Sequence, residues 1–372
     1  MNLKSRFVYY LNKKYSSLDT SLLEPLISDQ LLSPFQITLS LEQIQNIKSE
    51  IKAYWGLRNW GEQKLVSQYS ELNLRKPHNY SACMSYDFHI NPEGRPELIE
   101  INTNASFLAL GLELYAFLGF PNPAGNFGES DLVEMFKNEI RLCGGNESSI
   151  AVIDENPETQ KLYAEFLIYR QLFKNRGIQS EIFDITDVDN FKKYSLIYNR
   201  YTDFYLQDPK SLKIKDLFNA GLMNLSPNPY EYFLLADKQR LLDWNSQTEI
   251  PKPESLLKIY DMGTEDKDTI WSLRKNLFFK PKNSFGGKQA YKGASISRKF
   301  FEEVSSANFV AQQLSTPAQV TVDYENNKLE FKYDLRCFAY KDQLQLVVAR
   351  LYQGQTTNLK TPGGGFACIT VS

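Results

Sequence analysis

Between Ser85 and Asn104 the chain reads SYDFHINPEGRPELIEINTN, and this stretch limits the fold more than any other. Met84, Tyr86, Phe88 and Ile90 alternate with Ser85, Asp87 and His89, which predicts a strand buried on one face. Asn91-Pro92-Glu93-Gly94 supplies turn residues, and Leu98 to Asn102 predicts a returning strand. Its period of two places Leu98, Glu100 and Asn102 on one face and Ile99 and Ile101 on the other. If the strands pair, Asp87 faces Glu100 and Asn102. Two carboxylates and an amide oxygen on rigid strands are hard donors of the kind Mg²⁺ takes beside water and phosphate oxygens. A hairpin with one solvated polar face would show the same pattern, so spacing alone leaves both readings open.

A chain of 372 residues has room for two or three domains or one large multi-lobed enzyme. Hydrophobic residues at 42% and aromatics at 13% supply a core, which excludes global disorder. With 42 basic and 44 acidic residues the net charge is −2, so neither nucleic acid nor an anionic membrane is expected as partner. Cys83, Cys143, Cys337 and Cys368 are scattered without zinc-type spacing, and a reducing compartment is expected. The first residues lack a secretory pattern and no apolar run is long enough to span a bilayer, which predicts a soluble, cytoplasmic protein. There are two histidines, His78 and His89. His89 shares the strand face of Asp87, and a hydrogen-bonded neighbour is the expected role.

Residues 1 to about 80 read as mainly helical. Ser40 and Gln43 form a capping-box pattern, and Leu41, Ile44, Ile47, Ile51 and Tyr54 follow at helical spacing, predicting a core-facing helix over about 41–57. From Ser148 the rhythm changes. Strands at 150–153, 182–183 and 196–198 alternate with helices at 158–175 and 209–220, which predicts a small parallel α/β domain. No glycine-rich fingerprint follows the first of these strands, so a dinucleotide site is not expected there. Arg200 follows the third, where such sheets hold ligands. It is a candidate contact for an anionic substrate group or, equally, one half of a surface ion pair with Asp203.

In the last third, Phe278-Phe279-Lys280-Pro281 predicts a strand ending in a loop with Ser284, Gly286 and Gly287, whose backbone amides could close over phosphates. Its spacing is not that of a Walker A loop, and a plain hairpin turn would also account for it. Phe309 to Leu314 predicts a strand whose polar end, Gln312-Gln313-Leu314, could recognise an adenine through its backbone. Asp334 to Tyr340 and Leu344 to Leu351 predict two strands carrying Arg336 and Arg350, followed by Asn358 and Gly363-Gly364-Gly365. Fixed guanidinium groups suit a polyphosphate or acyl phosphate; surface salt bridges would explain them too.

In this order the pieces resemble the ATP-grasp superfamily. Ala236-Asp237-Lys238, Phe279-Lys280-Pro281 with the two glycines, Gln312-Gln313, Asp334-Leu335-Arg336 and Arg350 look like the first part of its core. The closing part stands nearer the other end, as Asp87 and Glu100-Ile101-Asn102. The chain is thus similar to circularly permuted ATP-grasp proteins, including eukaryotic glutathione synthetase and the glutathionylspermidine synthetase domain. Over residues 80 to 372 the resemblance implies an α/β fold: a permuted metal-binding segment over 81–145, a small α/β domain on the substrate side over 146–235 and nucleotide-binding lobes over 236–372, behind a helical region over 1–80. It implies ATP held at Lys238, Lys280, Ser284, Gly286 and Gly287, with the adenine at Gln312, Gln313 and Leu314. Mg²⁺ would sit at Asp87, Glu100 and Asn102, and Arg336, Arg350 and Asn358 near the transferred phosphate. Ser284 stands near the place of a metal-binding Glu of glutathione synthetase, and Ser85 replaces an arginine of glutathionylspermidine synthetase.

The activity implied is ATP-dependent ligation of a small-molecule or peptide carboxylate to an amine through an acyl phosphate, with ADP and phosphate released; homodimers are common in the family. Phosphoryl transfer to a hydroxyl, or nucleotide binding without catalysis, are the alternatives.

Overall fold

The expected hairpin forms, and a seven-stranded sheet is built outward from it. The computed structural model describes residues 1–372 apart from 147, 283–289, 305–307 and 325–326. Met84–Ile90 pairs antiparallel with Pro96–Asn102. Between them Gly94 N–H donates to Asn91 O at 2.9 Å, Asn91 N–H to Arg95 O at 2.9 Å, and Arg95 N–H to Asn91 Oδ1 at 2.9 Å. Gly94 has φ +80°, a left-handed conformation in which a β-carbon clashes with the backbone, so glycine lets the turn close.

On its other side Met84–Ile90 pairs with Asn327–Tyr340, which leads through Gln343–Tyr352 to Gly365–Val371, every neighbour antiparallel. Segments near both ends of the chain therefore share one sheet. Ala318–Tyr324 pairs with the first half of Asn327–Tyr340. Leu32–Leu39 adds an edge strand parallel to Gly365–Val371, a strand not expected within a region that is otherwise mainly helical. Pro34 and a register irregularity between Leu32 and Gln36 blur its alternation, and its partner lies at the far end of the chain, so local pattern does not reveal it.

Helix Leu41–Lys64 begins at the expected reciprocal cap: Gln43 N–H donates to Ser40 Oγ at 3.1 Å and Ser40 N–H to Gln43 Oε1 at 2.9 Å. Gln43 also donates to Gly94 O at 3.2 Å, fastening the helix to the hairpin turn. Ile44, Ile47, Ile51 and Tyr54 are buried against Tyr86, Phe88, Leu98 and Ile101, while Leu41 stays exposed at the helix start. The helix runs past 57 because its last turns bury Arg58, paired with the buried Glu231, and Gly61 against Leu234. Apolar spacing cannot register such a continuation. On the opposite face of the sheet Phe107 stacks on Phe366 at 3.6 Å, and helix Leu108–Leu118 covers the far end.

The middle of the chain forms the expected parallel sheet, ordered Gln179–Asp184, Ser149–Asp154, Leu196–Asn199, Leu225–Ser226. Ile150 and Val152 bury into one core and Ala151 and Ile153 into another, as strands covered on both faces do. A second four-stranded sheet, antiparallel, is made of Tyr291–Lys292, Leu277–Pro281, Phe309–Gln313 and Ile259–Asp261. Leu277, Phe279 and Ala311 bury under helices Lys267–Leu273 and Arg298–Val304. By alternation Phe278, Lys280, Val310 and Gln312 face the other way, where Val310 joins the core beneath the hairpin. Among the described residues no helix is long and apolar enough to cross a membrane.

Candidate functional site

Hairpin register brings the three polar residues together. Asp87 is opposite Glu100 and Ser85 opposite Asn102. Asn102 Nδ2 donates to Asp87 Oδ2 at 3.2 Å and to Glu100 Oε1 at 3.3 Å. The register then slips, so that Phe88 is opposite Leu98 and Ile99 is a bulged extra residue. Leu98 consequently lies with Ile101 in the buried face, not with Glu100 as strict alternation predicts. The bulge also turns two backbone carbonyls toward the small antiparallel sheet. Lys280 Nζ donates to Ile99 O at 3.0 Å, and Gln312 Nε2 donates to Leu98 O at 3.2 Å.

Lysines from two other elements approach the same carboxylate. Lys280, on Leu277–Pro281, is 8% exposed and also donates to Gln312 Oε1 at 2.8 Å. Burial pulls its ammonium down to about 8; Glu100 works against that shift and Lys238 adds to it. Lys238 stands between the π-helical turn Tyr232–Ala236 and helix Gln239–Ser246, also 8% exposed. Burial lowers its pKa, with Glu100 and Asp237 opposing.

Across the sheet, Arg336 grips Asp87 in a fork, Nε to Oδ1 at 3.0 Å and Nη2 to Oδ2 at 2.8 Å. Arg350 reaches the same Oδ2 through Nη2 at 2.9 Å and Asp334 Oδ1 through Nε at 2.6 Å. Burial on its own would raise the Asp87 carboxyl, but the charges of Arg336 and Arg350 outweigh it and hold the group at about 2. His89, on the same strand face, holds Ser315 O at 3.2 Å and Ser315 Oγ at 3.1 Å through Nδ1. Burial lowers its pKa against the pull of Asp334, and the ring is a hydrogen-bonded neighbour, as expected.

Asp87, Glu100, Asn102, Lys238, Lys280, Arg336 and Arg350 therefore converge; other expected residues stand apart. Asn358 is half-buried and braces its own loop, donating to Gln353 O at 2.8 Å and accepting from Lys360 N–H at 3.0 Å. From that loop it is Thr357 that reaches the arginine network, donating its hydroxyl to Asp334. The Gln312 side chain is spent on Lys280 and Leu98 O. The N–H groups of Gln313 and Leu314 donate to Lys258 O at 2.7 Å and Asn276 O at 2.8 Å, which commits the amides expected to read an adenine. A cleft of 450 Å³ opens beside Gln313 and Leu314. Ser284, Gly286 and Gly287 lie outside the described residues.

Arg200 is buried, and its neighbour is not Asp203. It donates to Asn104 Oδ1, Ser106 Oγ, Ala105 O at 3.2 Å and Tyr198 OH at 3.3 Å, and Asn104 Nδ2 returns a bond to Arg200 O at 2.8 Å. Asp154, ending the adjacent strand, is raised to about 6 by burial, which Glu155 N–H and Arg200 only partly offset. Thus the carboxyl ends of the parallel sheet are stitched to the chain leaving the hairpin. Sequence reasoning passed over Ser85, Asn104, Asp334 and Thr357 as site members. Asp334 is two residues from Arg336, and that spacing alone puts them on one face.

The donors for a divalent cation can be tested against this geometry. Glu100 spends one carboxylate oxygen on Asn102. Because both of its neighbours are acceptors, Asn102 must turn its NH₂ toward them, leaving Oδ1 unused among the described residues. Glu100 and Asn102 fit a hard cation that takes its remaining ligands from water and phosphate. Asp87 has both oxygens taken.

Comparison with known structures bears on the fold. A glutathione synthetase-like effector from Globodera pallida, solved in its apo form, aligns with TM-score 0.54 over 92% of this chain and 90% of its own, at 12% identity. The chain has an ATP-grasp-type fold. A proposed gamma-glutamylcysteine synthetase from Methylobacillus flagellatus aligns with TM-score 0.46, at 12% identity over 88% of this chain and 87% of its own. The ATP-grasp ligase PsnB, bound to a minimal precursor, Mg and ADP, aligns with TM-score 0.30, at 13% identity over 59% of this chain and 87% of its own. No protein-family model matches the sequence, and no curated protein matches it. In this ATP-grasp-type fold the hairpin, the small antiparallel sheet and the arginine strands meet at one place.

Proposed function

We propose that the protein is an ATP-dependent carboxylate–amine ligase. What carries this reading is the approach of Lys238, Lys280, Arg336 and Arg350, from four separate elements, to the carboxylates of one hairpin. A merely solvated polar face has no reason to bury two lysines beside Glu100, where desolvation costs each of them. A polyphosphate would add negative charge beside both lysines. The union of the hairpin with strands from the end of the chain supports the permuted order that the resemblance implies.

In the proposed reaction a substrate carboxylate attacks the γ-phosphate of ATP, ADP leaves, and an amine displaces phosphate from the acyl phosphate. Lys238 and Lys280 hold phosphate oxygens from the side of the small sheet. Arg336 and Arg350, fixed on neighbouring strands, stabilise the charge that develops on the transferred group. Glu100 and Asn102 would hold a Mg²⁺ ion, which would supply positive charge to offset that of the phosphates. Arg200, at the carboxyl end of the parallel sheet, orders the Asn104–Ser106 segment on the substrate side. No side-chain nucleophile is required.

The test is a screen of carboxylate and amine pairs with ATP and Mg²⁺ in the presence of hydroxylamine. Release of ADP together with a hydroxamate supports the ligase reading, since only an acyl phosphate is trapped that way. ADP without hydroxamate points to phosphoryl transfer onto a hydroxyl, and nucleotide binding with no ADP release for any pair would overturn the enzymatic reading.

A further inference from the structure

Asp87 has a different task from Glu100 and Asn102. We propose that it is a positioning residue that holds Arg336 and Arg350 as a twin fork for the transferred phosphoryl group, and that it contributes no oxygen to the divalent cation. This rests on the ligase reading above.

Three observations carry the assignment. First, Asp87 Oδ1 accepts from Arg336 Nε at 3.0 Å and Ser85 Oγ at 3.1 Å. Oδ2 accepts from Arg336 Nη2 at 2.8 Å, Arg350 Nη2 at 2.9 Å and Asn102 Nδ2 at 3.2 Å. A carboxylate offers about four lone-pair directions, so none is left for a metal. Second, the side chain is 1% exposed and flanked by two guanidinium groups. A divalent cation placed there would displace an arginine or sit against two positive charges.

Third, the way each arginine is gripped leaves the same nitrogen over. Arg336 spends Nε and Nη2 on Asp87, and its Nη1 has a long 3.5 Å contact to Ser106 O. Arg350 spends Nε on Asp334 and Nη2 on Asp87, and its Nη1 has no partner among the described residues. A planar guanidinium held along its Nε–Nη2 edge projects Nη1 away from the holding group. Asp87 therefore fixes both guanidinium groups by their other nitrogens, so that each Nη1 is oriented for a ligand oxyanion before any ligand arrives. Ser85 completes the grip in the position where the resemblance expects a further arginine.

Mn²⁺ paramagnetic resonance and calorimetry on the full chain, with ADP and with the non-hydrolysable analogue AMPPNP, test the assignment on wild type, Asp87→Asn and Glu100→Gln. Asp87→Asn is expected to keep the ADP-dependent Mn²⁺ site within about threefold, while Glu100→Gln loses it by about tenfold or more. In Asp87→Asn the preference for AMPPNP over ADP is expected to fall about fivefold or more, because the terminal phosphoryl group meets disordered arginines. A role in folding alone would not move that ratio selectively. Loss of the Mn²⁺ site in Asp87→Asn, as in Glu100→Gln, overturns this assignment and leaves the ligase reading standing; so does an unchanged AMPPNP preference. A wild type with no nucleotide-dependent Mn²⁺ site defeats both. Should Asp87→Asn fail to fold, the double variant Asp87→Asn with Arg336→Gln removes opposite charges together, and the same Mn²⁺ comparison decides.

Discussion

Lys280 gives its two hydrogen bonds to neutral acceptors, Ile99 O and Gln312 Oε1, inside a buried cleft. Such a cation is held at a cost that a ligand's negative charge can offset. Lys280→Met is therefore expected to leave the ligand-free protein as stable as wild type or more so, while abolishing the thermal shift given by ATP with Mg²⁺. Denaturant unfolding and melting curves measured side by side would show whether these separate. Asp154 has the opposite sign of charge and a similar predicament. Its folded value of about 6 exceeds the usual carboxylate value, so between those values the native state holds a proton the unfolded chain has lost. Stability is then lost as pH rises through that window. Asp154→Asn is expected to be more stable than wild type by about 2 kcal/mol at pH 7.5, with the gap closing toward pH 4. Urea unfolding at the two pH values checks it.

At the level of elements, the tightest demand falls where Gly365–Val371 begins. Gly365 has φ +109°, and a β-carbon there would lie 2.6 Å from Gln30 O and 2.7 Å from Leu31 O. Gly365→Ala is expected to cost on the order of 3 kcal/mol and to loosen the parallel edge strand Leu32–Leu39, read by urea unfolding and by hydrogen exchange in that strand. The N-terminal helix Leu3–Lys14 is pinned by one buried carboxylate. Glu113 accepts from Lys14 Nζ at 2.8 Å and from the hydroxyls of Tyr10 at 2.9 Å and Tyr15 at 2.5 Å. Glu113→Gln is expected to destabilise by about 3 kcal/mol and to open the chain after Lys14 to protease. A mainly helical start could be read from the sequence, but not the pin: nothing at Tyr15 indicates that its partner is Glu113.

For the molecule as a whole, the lobes share apolar cores and are also joined by polar contacts at the site itself. Lys280 and Gln312 tie the small antiparallel sheet to the hairpin bulge, and Arg200 ties the parallel sheet to Asn104 and Ser106. A ligand bridging these groups adds its binding energy to the stability of the entire chain. ATP with Mg²⁺ is expected to raise the melting temperature of wild type, and EDTA or Glu100→Ala to remove the rise. No shift at millimolar ATP would sink the nucleotide assignment.

Strand period and turn chemistry by themselves determined the hairpin, the facing of Asp87 toward Glu100 and Asn102, the capped helix from Leu41 and the alternating rhythm of the parallel sheet. These follow from contacts between near neighbours, which local spacing encodes. Tertiary structure alone decided the bulge at Ile99, the strand at Leu32–Leu39, the removal of Asn358 from the arginines and the commitment of Asp87 to Arg336 and Arg350. Each depends on which distant segment arrives as partner. A carboxylate spaced like a metal ligand becomes an arginine anchor when two guanidinium groups, some 250 residues further on, occupy its oxygens first.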